Sequence, residues 1–240
     1  MSIFRNVVFV AALAGLVAGL ALAVVQSFTT VPLILQAETF EGAAPAHDHG
    51  TGAAEAAHSH DDEGWAPADG FERFAYNVLA NIVSGVGFAL ILVVASEFAG
   101  GIGGWRQGLF WGFAGFGVFT LAPGLGLPPE LPAMPAADLW ARQVWWVGTI
   151  LATAAGLALI AFRRSAPLAI LGVALIVAPH IIGAPQPDSF ETAVPEALHH
   201  CFVVAVTVTN LVFWLMLGAG VGLFRSRFAL GEPVLRDRLA

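Results

Sequence analysis

Long apolar runs separated by short polar breaks organise this chain from end to end. A helix needs about 20 apolar residues to cross the hydrocarbon core of a bilayer. Six stretches approach or exceed that length: Val7–Phe28, Phe74–Phe98, Trp105–Leu125, Leu139–Phe162, Pro167–Ile182 and Leu198–Phe224. Only 11% of the 240 residues are charged and mean hydropathy is +0.78. An average soluble domain carries about 25% charged residues, so most soluble folds are ruled out. Within lipid the backbone must satisfy its own hydrogen bonds, which favours helices. The expected fold is all-α: a polytopic integral membrane helical bundle of about six transmembrane helices, a single domain over 1–240. The fifth stretch has 16 residues and runs into a proline-rich segment, so a re-entrant or partly inserted helix, with five full crossings, is the other form it could take.

Charge is sorted along the chain. Arg5, Arg106, Arg163, Arg164, Arg225, Arg227, Arg236 and Arg238 flank one set of helix ends, eight of ten basic residues, none of which is Lys. The alternate loops hold only Arg73 and Arg142, together with 14 of 17 acids. Positive charge stays on the cytoplasmic side, so both termini are expected in the cytoplasm and the acidic loops outside. A cleaved signal peptide would also explain Arg5, the first apolar stretch and Ala21-Leu22-Ala23, but the apolar character continues through Val31–Leu35. From Val7 to Leu35 a straight helix would measure about 43 Å, so it must tilt, kink near Pro32 or leave the bilayer. Gly15 and Gly19, Gly104, Gly108 and Gly112, and Gly218 and Gly222 are four apart, spacing that lets helices approach closely. A net charge of −7 without a basic patch excludes nucleic acid as a partner, and the single Cys201 excludes a disulfide framework or CxxC motif.

The one sizeable hydrophilic stretch is the extracytoplasmic loop 38–73. It contains His47-Asp48-His49 and His58-Ser59-His60, followed by Asp61, Asp62 and Glu63. Imidazole and carboxylate are donors to borderline divalent ions, and His47, His49, His58 and His60 therefore form a candidate metal collector; a solvated acidic linker is the plainer reading. The remaining histidines fall at the same outer face: His180, His199 and His200. Glu196 precedes His199 and His200 by three and four residues, close enough on a helix for a carboxylate and an imidazole to meet one ion. Glu38, Glu41 and Glu130 stand at membrane boundaries, where ionised groups are costly and mark ion paths. Glu130 lies in Leu127-Pro128-Pro129-Glu130-Leu131-Pro132, which cannot be regular helix, so an outer vestibule is expected there, with Arg142 able to neutralise Glu130 or Asp138. Gln26, Asn77, Asn81 and Asn210 add polar groups deeper in the spans.

No GxxxxGK[ST], HExxH or GxSxG motif occurs, so no enzyme activity and no resident cofactor are expected. The ordered set QAETFE (36–41), WAPADGFER (65–73), RQGLFWGFAGFGVFTLAPGLGLPPELP (106–132), RQVWW (142–146) and APHIIGAP (178–185) resembles the CbtA family of predicted cobalt transporter subunits over nearly the whole chain. The resemblance implies a multi-pass protein of the bacterial inner membrane, serving cobalt uptake for cobalamin synthesis with a small single-span, histidine-containing CbtB partner. It also implies five spans rather than six, and family motif positions at Glu38, Glu41, Glu72, Arg73, Glu130, Arg142 and His180, without ligand roles. The residues themselves suit a divalent metal ion but do not choose cobalt. Transport of Co²⁺, by this chain in the bilayer with a partner subunit or as a homo-oligomer, is the expected function. A subunit that captures metal and delivers it elsewhere is the alternative.

Overall fold

The computed structural model of the chain describes residues 2–41, 67–163 and 165–228. The loop histidines His47, His49, His58 and His60 lie outside the described residues. Helices make up the fold: α1 (Ser2–Phe28), α2 (Thr30–Glu38), α3 (Phe71–Glu97), α4 (Trp105–Phe116), a π turn (Gly117–Leu121), α5 (Ala122–Gly126), α6 (Leu139–Phe162), α7 (Ala166–Ile182) and α8 (Glu196–Phe228). Five helical segments are long and apolar enough to span a membrane, the third being α4, the π turn and α5 run together as Trp105–Gly126. The sixth apolar stretch forms α7, whose 17 residues give about 26 Å, slightly less than the hydrocarbon thickness. Large apolar side chains such as Val17, Leu79, Val83, Phe110, Leu151, Ile170 and Val208 are exposed, the pattern of a surface that faces lipid.

Two proline-bearing spans are broken where the missing N–H dictates, whereas α7 carries Pro179 in its last turns without a break. Pro32 cannot donate to the carbonyl of Phe28 and its ring crowds that group; α1 ends at Phe28, and Thr29 turns the chain into α2. Pro123 makes the same demand on Phe119, and the response is the π turn, in which the Ala122 N–H reaches back to the Gly117 carbonyl.

Helices α1, α3, α4 and α8 share one core, built from Val10, Ala14, Ala18, Ala89, Val93, Phe116, Trp214, Leu217 and Val221 among others. The glycine spacings serve close packing. A Cβ on Gly85 would lie 2.7 Å from the Gly15 carbonyl oxygen, and Gly108 and Gly112 meet the backbone of α8 at Gly218 and Trp214. Helices α6 and α7 contribute nothing to that core. They form a hairpin of their own across Gly156 and Gly172, where a Cβ on Gly156 would lie 2.5 Å from the Gly172 carbonyl oxygen. The hairpin joins the other four helices through α5 and the π turn.

The ends of the bundle differ in charge. Phe9 stacks edge-on against Phe228 at 5.0 Å, so the described chain begins and finishes at one end, where Arg225 also pairs with Glu97. Glu38, Arg73, Glu130, Arg142, His180 and His199 gather at the other. There a second apolar cluster of Ala37, Leu131, Val194, Leu198 and Phe202 ties α2 and the proline-rich turn to the start of α8.

Replacing Gly218 by Val forces α4 away from α8 and should cost roughly 1–3 kcal/mol, the scale of an overpacked core. Gly148→Ala adds a Cβ that meets nothing within 4 Å and should leave stability unchanged or slightly raised. Denaturant unfolding of the purified protein in detergent micelles checks both.

Candidate functional site

The irregular segment after α5 builds the site. Leu131–Met134 forms a tight turn closed by Met134 N–H to the Leu131 carbonyl, with Pro132 at its second position. Ala133 is forced to φ 62° there, a conformation usually left to glycine and one that stores strain. The turn is held from outside: the Thr192 hydroxyl donates to the Ala133 carbonyl at 3.1 Å, and the ring of His199 approaches the Pro129 carbonyl at 3.1 Å. A carbonyl oxygen only accepts, so His199 carries its proton on Nε2 at this contact, and Nδ1 is the nitrogen with a lone pair in the neutral ring.

Just before this turn, the segment Leu127–Glu130 lines a half-open vestibule of about 620 Å³ together with the π turn, α5, α6 and α8. At its mouth, an Arg142 Nη2 donates to Glu130 Oε2 at 3.0 Å. Asp138 takes a different role, capping α6 by accepting from the Ala141 N–H at 2.8 Å. Deeper in, the walls carry neutral polar groups from Thr120, Gln143, Thr207 and Asn210 among apolar neighbours. One helical turn beyond Asn210, Trp214 is 2% exposed. It donates from Nε1 to the Thr120 hydroxyl at 3.2 Å, stacks on Phe119 at 5.5 Å and meets Phe88 at 4.9 Å. Phe119 forms the aromatic floor of the vestibule, with Trp214 and Phe88 packed behind it.

The other expected residues stand outside the lining of the cavity. Glu38 pairs with Arg73 at 2.7 Å, and Arg73 also reaches Asp69 at 3.1 Å. His180 sits edge-on to Trp145 with ring centroids 5.9 Å apart, while Trp145 Nε1 donates to the Pro179 carbonyl at 3.2 Å, fixing the end of α7 against α6. Glu41, Glu196 and His200 are exposed. Among the described residues no three of His, Cys, Asp and Glu come together as a metal site. Of the deeper amides, Asn81 donates to Gln26 Oε1 at 2.6 Å and to Asn77 Oδ1 at 3.1 Å, a clamp between α1 and α3 that stands apart from the vestibule. Asn210 alone belongs to the cavity. The π turn and the aromatic floor were not anticipated, although Pro123 within an apolar span was a usable signal.

The match to known families decides the identity: the model described as "Probable cobalt transporter subunit (CbtA)" covers residues 4–226. The chain belongs to the CbtA family. It is therefore a multi-pass membrane protein of a family described as a cobalt transporter subunit, and the vestibule is a cavity that this CbtA chain forms from its described residues. Neither curated proteins nor solved structures show a match to it.

Hydrogen bonds between helices in lipid are worth about 0.6–1.7 kcal/mol. Asn81→Leu, which removes the Gln26 contact between α1 and α3 together with the Asn77 contact within α3, should lower stability by about that amount. The same unfolding measurement in micelles checks it.

Proposed function

We propose that this CbtA chain admits a divalent transition-metal cation, Co²⁺ foremost, into a bacterial cell across the cytoplasmic membrane, with the vestibule as its entrance. The observation that carries this reading is Glu130: an acid next to a strained turn and lining a half-open cavity, at the end of the molecule where the described residues Glu38, His180 and His199 also lie. A carboxylate in that setting attracts cations, and neutral oxygens from Thr120, Thr207 and Asn210 offer further contacts to an ion shedding water. The choice of metal follows the family description, because nitrogen and oxygen donors alone favour Ni²⁺ and Cu²⁺ over Co²⁺. His47, His49, His58 and His60 would concentrate ions outside, with Glu38, Glu41, His180, Glu196, His199 and His200 around the approach. The arginine-rich end then faces the cytoplasm. The chain performs no covalent chemistry, holds no resident cofactor and works beside a further membrane subunit; the word "subunit" in the family description supports the last point.

Purified chain in liposomes should load the lumen with ⁵⁷Co²⁺ supplied outside, and Glu130→Gln should slow initial uptake several-fold. Metal bound at the surface with an empty lumen would make the chain a capture and delivery subunit instead. Replacing His47, His49, His58 and His60 together by Ala should lower uptake at scarce metal and leave the rate at saturating metal unchanged. Identical uptake curves would reduce the loop to a spacer.

A further inference from the structure

The ion pair at the vestibule mouth suggests how the entrance discriminates. Among the residues that line the cavity, Glu130 is the acid and Arg142 the base, and their side chains are 24% and 29% exposed. The pair is therefore reachable from the cavity rather than sealed in a core. The two residues come from different bodies of the fold. Glu130 belongs to the turn fastened to α8 by His199 and Leu131, whereas Arg142 rides on the first turns of α6, in the hairpin outside the main core. The nearby acid on α6, Asp138, is committed to its helix cap.

We propose that Arg142 is a specificity-determining residue, a tethered cation that occupies Glu130 until an entering ion displaces it. This rests on the reading of the vestibule as a cation entrance. With the pair formed, the mouth offers a monovalent ion nothing: the ion would exchange one unit of charge for another and forfeit the directional N–H···O bond. A divalent ion doubles the coulombic attraction to the same carboxylate, displaces the guanidinium and then repels it. Arg142 thus filters by charge, excluding the far more abundant Na⁺ and K⁺. Because Glu130 and Arg142 bridge the seam between hairpin and core, displacement also uncouples the two bodies at that point.

The test uses the full chain in liposomes, with ⁵⁷Co²⁺ binding measured in a large organic cation and again in Na⁺. Wild-type protein should bind Co²⁺ with the same half-saturation in both. Arg142→Gln should bind about fivefold more tightly in the organic cation, the scale of a partly exposed ion pair, and Na⁺ should now compete. Arg142→Lys keeps the charge without the planar fork and should fall between the two. Methylguanidinium added to Arg142→Gln should restore wild-type behaviour, a response that a misfolded variant could not give. If wild-type and Arg142→Gln proteins bind Co²⁺ alike and Na⁺ competes with neither, the filter is refuted while the entrance stands. If wild-type protein binds no Co²⁺, the entrance reading falls and the filter with it.

Discussion

The contact of α4 with α8 at glycine governs the rest of the molecule. Where Gly108 and Gly112 face Gly218 and Trp214, the two backbones approach so closely that a Cβ on either glycine has no room. In lipid such packing supplies helix association that the hydrophobic effect does not. It also fixes Trp214 in the core, beneath Gly115 and beside Phe88 and Phe119. The close approach holds only along α4. At Pro123 the regular helix cannot continue, the π turn absorbs the missing hydrogen bond, and the chain passes into the proline-rich turn. The vestibule opens there, between α8 and a chain no longer regular.

That divergence also explains why the fold has two bodies. Helices α1, α3, α4 and α8 bury one another's small and aromatic residues, whereas α6 and α7 bury Gly156 against Gly172 with only Thr149, Ile150, Thr153 and Pro179 besides. The hairpin is secured at the π turn and α5, and at the acidic end by Glu130 with Arg142. Trp111 and Phe162, with ring centroids 6.4 Å apart, give a loose contact toward the other end. A cavity on the seam between a tight unit and a loosely attached one can change volume without unpacking a core.

The spans were legible in the sequence because the length of an apolar run is a direct consequence of bilayer thickness. The vestibule was legible for a related reason: a run of prolines at membrane depth has to border a cavity or be buried. The pairing of charges was legible only in part. Arg142 had two candidate acids, and the sequence could not show that Asp138 would be taken by the N–H of Ala141, which leaves Glu130 as the partner. The helical spacing of Glu196, His199 and His200 was a sound argument about one helix, yet it missed a partner from elsewhere in the chain, since the Pro129 carbonyl draws the His199 ring toward the turn. Packing between distant segments decides such matters, and no local periodicity encodes it. The expected kink near Pro32 fell at Thr29, which is where the carbonyl that Pro32 cannot serve comes to an end.

Seen together, these features separate attraction from passage. On the proposed reading Glu130 draws a cation to the mouth, but the polar lining of Thr207 and Asn210 adjoins Phe119, behind which Trp214 and Phe88 are packed. A hydrated divalent ion cannot cross such a layer without compensation, because burying an unpaired charge is far costlier than any single contact in the vestibule can offset. On that reading an ion would need the floor to open, and the π turn is the element that holds it: it carries both Phe119, which stacks on Trp214, and Thr120, which accepts from Trp214 Nε1. The turn also anchors the hairpin that bears Arg142. The ion pair at the mouth and the packing around Trp214 therefore meet on one element, because α6, which bears Arg142, packs against the π turn.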